Sequence, residues 1–147
     1  MSGRYVSVRN FDNYVQMCMG FPPESCAMTG QCSCSPVIEG DGSVYPCDFY
    51  VLDDYRLGNV HENELKEMLV GDVALRFVMN SSATAKECKN CPYAYLCRGG
   101  CRRERNPATA KSRFCEAYRT FFAYALPRLK EMAYRIAAEQ QKKGGKI

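Results

Sequence analysis

Eight cysteines hold most of the chemistry that this sequence could perform. Cys32 is followed after nine residues by Gly42, and four further residues separate that glycine from Cys47. Cys88, Cys91, Cys97 and Cys101 then stand two, five and three residues apart. Cys115 completes a frame of seven, and Cys26 lies six positions before Cys32. Eight thiols at these spacings can give four ligands to each of two metal centres. Three chemistries compete for them. Disulfides fit worst, because closely spaced Cys-x-x-Cys pairs are more often ligands and nothing in the chain marks it for export. Zinc fits better, since sites of four cysteines are common structural centres. Iron and sulfide fit best. Four cysteines fall within the fourteen positions from Cys88 to Cys101, unlike a pair of simple zinc knuckles. Glycines also accompany the ligands, at Gly42 and at Gly99 and Gly100. Backbone without a side chain can approach the sulfides of a cluster and hydrogen-bond them.

The rest of the chain has to bring these thiols together. Its 147 residues suit one domain, burying roughly 68–70% of the unfolded surface. With no tryptophan, ten tyrosines and seven phenylalanines supply the bulky contacts. No run approaches the roughly 20 apolar residues that cross a bilayer, and Met1-Ser2-Gly3-Arg4 opens no secretory signal. A reducing, cytoplasmic location is the expectation, where thiols act as ligands or catalysts. Residues 1–85 carry five Lys/Arg against eleven Asp/Glu, and residues 86–147 fifteen against five, so a half of net charge −6 precedes one of +10. The basic half matches no nucleic-acid-binding motif and is read as a solvated helical face with a soluble tail. Neither nucleic acid nor membrane is expected as a partner.

Element by element, Tyr5-Val6-Ser7-Val8 alternates as a short strand would. Val37–Glu39 and Ser43–Tyr45 flank Gly40-Asp41-Gly42 and read as a hairpin, with Pro46 ending its second strand. That hairpin draws Cys32 and Cys47 together. Glu62–Val70 reads as a short helix stopped by Gly71, and Asp72 is expected to cap another running to Val78. Thr84 and Glu87 fit a capping box before Cys88, while Pro92 stops any helix from crossing that segment. Tyr118, Phe121, Phe122, Ala125, Leu129, Met132, Ala133 and Ile136 recur at helical steps, making a long C-terminal helix that Pro127 should kink or split. The fold class is α+β, a small metal-centred domain with a β-hairpin, short helices and a long last helix. Residues 1–25 form a lead-in segment, 26–139 the twin-cluster domain and 140–147 a basic, frayed tail.

The cysteine frame resembles the SPASM domain, the auxiliary-cluster domain of many radical S-adenosylmethionine enzymes that modify peptides. Arg9–Asn13, the stretch from Pro22 through Cys32, and above all Gly42–Asp53 with its Tyr45-Pro46-Cys47-Asp48-Phe49-Tyr50 core are similar to the anaerobic sulfatase-maturating enzymes. Leu57–Val60 continues the likeness, which covers nearly the whole chain. The resemblance implies two 4Fe–4S clusters, the first on Cys26, Cys32, Cys47 and Cys101, the second on Cys88, Cys91, Cys97 and Cys115. Cys101 would thus leave its sequence neighbours, as the fourth cysteine of two-cluster ferredoxins does. It also implies that Asp48 is the general base for a substrate Ser or Cys oxidised to formylglycine. A carboxylate can accept that proton if held within hydrogen-bond reach; without the resemblance, Asp48 reads as a turn cap. Implied partners are a sulfatase peptide, a radical domain and an outside electron acceptor of ferredoxin or flavodoxin type.

In that family the reaction starts at a third 4Fe–4S cluster, which holds S-adenosylmethionine and sits on a Cys-x3-Cys-x2-Cys triplet. This sequence contains no such triplet. It is therefore expected to be the C-terminal portion of such an enzyme, inactive alone. Cys18 and Cys34 read as buried small hydrophobes, with Cys34, two residues from Cys32, the first choice as a spare ligand. His61, the one histidine, reads as a surface or capping residue, and Tyr93 and Tyr95 as packing. The rival function is a zinc-stabilised interaction module with no redox role.

Overall fold

The computed structural model describes residues 6–144. It opens with helix α1 (Arg9–Cys18), whose Asn13, Tyr14, Val15 and Met17 are buried. The strand expected at Tyr5–Val8 is not formed: Val6, Ser7 and Val8 are irregular, and Tyr5 lies outside the described residues. Four alternating residues with no partner strand lose to the helical face that follows them. α1 packs on the last helix, α5 (Cys115–Gly144), with Tyr14 edge-on to Phe122 at a centroid distance of 5.1 Å. Met28, Leu96, Ala125, Leu129 and Ala133 complete this core.

A small antiparallel sheet covers the middle of the chain. The hairpin forms as read, with β1 (Val37–Ile38) against β2 (Ser43–Tyr45), Val37 opposite Tyr45. A third strand, β3 (Gly58–Asn59), pairs on the other edge, so β2 is central and wholly buried. Pro46 ends β2, having no N–H to continue the ladder. The tip closes through the Gly42 N–H on the Glu39 carbonyl at 2.9 Å. Gly42 has φ +83, and a Cβ there would lie 2.7 Å from Asn59 Oδ1 and from the His61 ring. The glycine is thus needed for the sheet to close against Asn59 and His61.

The short helices follow with shifted ends. α2 (Leu65–Val70) starts three residues later than expected and stops at Gly71. α3 (Asp72–Met79) is preceded by Gly71, so Asp72 is its first residue and makes no cap. A 3-10 turn covers Lys86–Asn90 with Ala85 before it, and no side-chain cap bond forms there; the Thr84–Glu87 box is absent. α4 (Ala94–Cys97) is a single turn, and a further 3-10 turn spans Arg102–Glu104. α5 runs unbroken through Pro127. The proline removes one N–H, yet Phe122, Ala125, Leu129 and Ala133 seat both halves on the same core. Gln140–Gly144 are helical rather than frayed; residues 145–147 lie outside the described part. No helix among the described residues is long and apolar enough to cross a membrane. The architecture is the α+β arrangement read from the sequence.

Candidate metal centres

All ten cysteines are free. Two groups of four stand close enough for their charges to act on one another. In the first group, burial pushes the Cys101 thiol up, and the charges of Glu104, Cys32 and Cys26 push it further. Burial also pushes Cys47 up, to about 11, with Asp48 and Cys32 adding to it. In the second group, Cys97 is raised by burial and then by Cys88, Cys115 and Cys91. Cys88 is raised by burial, then by Cys115 and Cys91. Neither set borrows a member of the other, although Cys97 and Cys101 share one loop.

That loop explains the crossing. α4 ends at Cys97, and Arg98, Gly99 and Gly100 all take positive φ (48, 84 and 66). Three left-handed residues in a row reverse the chain, which is why two are glycine. Cys97 is left facing α5, and Cys101 is carried to the hairpin side.

The second set lines a cavity of about 470 Å³ with Tyr93, Tyr118 and Phe122, and Cys115 is the first residue of α5. The first set is more open: Cys26 is exposed, and Cys32, Cys47 and Cys101 are half-buried. In both sets a backbone N–H two residues on reaches a sulfur. Gly99 donates to Cys97, Arg103 to Cys101 and Phe49 to Cys47, each favouring the thiolate. Hydrogen bonds of this kind also tune iron–sulfur potentials. Among the described residues, no three His, Cys, Asp or Glu side chains are arranged to hold a single metal ion. The cavity lined by Cys88, Cys91, Cys97 and Cys115 has room for a cage of several metals and sulfides. A tetrahedral zinc site, with Zn–S of about 2.3 Å, would require them to close in.

Residues 26–92 match the SPASM family, described as an iron–sulfur cluster-binding domain. The chain carries a SPASM domain. A cysteine-type anaerobic sulfatase-maturating enzyme of Clostridium novyi is 42% identical over 144 residues, 95% of this chain and 38% of that protein. A serine-type enzyme of Bacteroides thetaiotaomicron is 29% identical, over 90% of this chain and 34% of its own length. Among solved structures, native anSMEcpe with bound AdoMet and Cp18Cys peptide superposes with a TM-score of 0.85 at 43% identity, covering 91% of this chain and 38% of the other. The chain thus spans well under half the length of these relatives and corresponds to their C-terminal part.

Around the SPASM cysteines, the structure places Asp48 at the start of a 3-10 turn, Asp48–Tyr50. Tyr50 is buried edge-on against Tyr55 and Phe77. Phe49 is left outside at 60% exposure, beside the exposed Asp48. The Cys47 thiol donates to Asp48 Oδ1 at 3.2 Å. That bond needs the thiol proton. A ligating thiolate has none, so metal binding would free the carboxylate. Cys18 sits in a groove with Lys130, and burial raises it. Cys34 is raised by burial alone, and neither belongs to a set. His61 is exposed and packs on Gly42.

Three positioning residues escape sequence reasoning. Buried Ser81 accepts the Cys32 N–H on its hydroxyl at 2.8 Å. Arg105, 7% exposed, donates from Nη1 to the Ser81 and Ala83 carbonyls, from Nε to Gly99 and from Nη2 to Gly100. It ties the Cys32 anchor to the Cys97–Cys101 loop. Buried Asn13 accepts the N–H groups of Glu24 and Ser25 on Oδ1, fixing the backbone just before Cys26. A serine, an arginine in a basic run and an asparagine carry no motif, so nothing in their spacing announces them.

Proposed function

We propose that this chain is the auxiliary-cluster portion of an anaerobic sulfatase maturase. Cys26, Cys32, Cys47 and Cys101 would hold one 4Fe–4S cluster; Cys88, Cys91, Cys97 and Cys115 would hold another. The observation that carries this reading is the separation of eight thiols into two sets of four. Such clusters supply one-electron acceptance and release at potentials set by charge, hydrogen bonding and exposure. The protein's own part is to hold the thiolates, to donate N–H groups to their sulfurs, and to turn Asp48 and Phe49 outward where a peptide can meet them. Asp48 then accepts the proton of the substrate residue as general base. The peptide's oxidation to formylglycine begins in a radical domain that binds S-adenosylmethionine on a third cluster. Electrons leave to an acceptor of ferredoxin or flavodoxin type. The cysteine-type relative is the more similar of the two, 42% against 29%, and supports cysteine as the residue oxidised.

Anaerobically purified chain should be brown and carry about eight irons. A colourless protein with two zincs would overturn the reading. In the full-length enzyme, Asp48→Asn should abolish turnover with iron content intact; retained turnover removes Asp48 from the mechanism.

A further inference from the structure

Arg102 directly follows Cys101, and its guanidinium is held on every side without a carboxylate. It lies over the rings of Tyr50, Tyr55 and Phe77 at 5.3, 5.6 and 5.4 Å. Nη1 donates to the Phe77 carbonyl at 3.0 Å and Nη2 to the Tyr55 hydroxyl at 3.3 Å. The Tyr50 N–H in turn donates to the Cys47 carbonyl at 2.9 Å. The guanidinium therefore sits between the segments bearing Cys47 and Cys101. Among the described residues, ion pairs join Arg9 to Glu24, Lys111 to Glu116 and Arg135 to Glu131, and none includes Arg102. Behind it lies a cavity of about 350 Å³ that Arg103, Arg105 and Arg113 also line, with no acidic side chain in its wall.

A half-buried cation costs free energy unless negative charge stands near it. Ring faces and a carbonyl offset part of that cost. Negative charge near this place comes from Glu104, which acts on Cys101, and from the first thiol set itself once it holds a cluster. Tyr50 reports the overlap: its hydroxyl is raised by burial, lowered by Arg102, and raised by Tyr55, Cys32 and Cys101. The cations around the second set differ. Lys89, Arg98 and Arg119 line its cavity but are exposed, so water and salt screen them, and the half-buried Lys111 there is already paired with Glu116 at 3.9 Å.

We propose that Arg102 is the fixed counter-charge of the first cluster and holds its reduction potential above that of the same cluster without the cation. This rests on the two-cluster reading above. Reduction adds one electron to an already anionic group, and a positive charge locked nearby favours the reduced form. Arg102 is a positioning residue in this sense: it touches no substrate and acts through the cluster.

The test is a potentiometric titration of the anaerobically loaded chain followed by electron paramagnetic resonance, with iron counted in parallel. The signal altered by Cys47→Ala identifies the first cluster. Arg102→Gln should move the midpoint of that cluster to more negative potential and leave the second in place, with full iron. Arg102→Lys should keep the native midpoint. An unchanged midpoint in Arg102→Gln at full iron overturns the proposal, as does an equal shift of both clusters. If Arg102→Gln loses iron, Arg102→Lys decides. Native midpoints there support the charge, whereas a shifted midpoint or lost iron shows that ring packing, not charge, is what the site requires. Absence of iron from the unaltered chain would instead remove the two-cluster reading itself.

Discussion

The two thiol sets are built in opposite ways. The second draws its members from residues 88–115, on a 3-10 turn, one helical turn and the first residue of α5, and closes on the aromatic core. The first spans residues 26–101 and depends on contacts between distant segments. Ser81 holds Cys32, Asn13 fixes the approach to Cys26, and Arg105 joins the Ser81 backbone to the loop before Cys101. Local closure costs little chain entropy; long-range closure must be met by specific buried bonds. The difference separates a sheltered centre from an open one. The set that is harder to assemble is also the one beside Asp48, where a substrate could meet it.

The comparison can be broken most sharply at its largest effect. Phe122 is fully buried between α1, α4 and the second cavity. Phe122→Ala should cost about 3–5 kcal/mol in denaturant unfolding and loosen the second set first. Equal iron loss from both sets would show that they fold as one unit. Arg105→Met comes next. It leaves four carbonyls, three of them in buried bonds, without their charged donor and should cost about 3 kcal/mol, with iron lost from the first set before the second. Cys101→Ala sharpens the same contrast: iron should fall from about eight to about four per chain, whereas a fall to none would couple the sets. Ser81→Ala removes the acceptor of the Cys32 N–H and should cost about 1–2 kcal/mol, slowing reconstitution of the first set alone.

The smallest effect is on pH dependence. In the metal-free fold burial pushes the Cys47 thiol up to about 11, against an ordinary thiol value of 9.0. The folded state therefore binds a proton that the unfolded chain has released, so stability falls as pH rises from about 9 to about 11. The urea midpoint of the metal-free chain should drop across that window, and less so in Cys47→Ala.

How much of this was written in the sequence follows the same division. Local features were legible: the glycine loop of the hairpin, the stop at Gly71, the apolar face of α5. The helix α1 was not, because Asn13 lies inside its buried face and interrupts the apolar pattern. Nor was β3, two residues with no β-preference. It is held by Asn59, whose amide donates to the Asp41 carbonyl and whose Oδ1 accepts the His61 N–H. At the site, spacing proposes eight ligands, but which four belong together depends on the left-handed turn at Arg98–Gly100, and an arginine there is not a residue from which that conformation is read. The residues that anchor Cys32 and Cys26 act across intervals of 49 and 12 positions, beyond any local pattern.

One end of α5 is Cys115, a proposed cluster ligand, and the other 29 residues extend from it as a rod roughly 45 Å long. A copy that never receives iron would lack the pin at the base of that rod. Its hold on Tyr14 and Leu129 would then rest on apolar packing alone, so unfilled copies should be cut by protease sooner than filled ones.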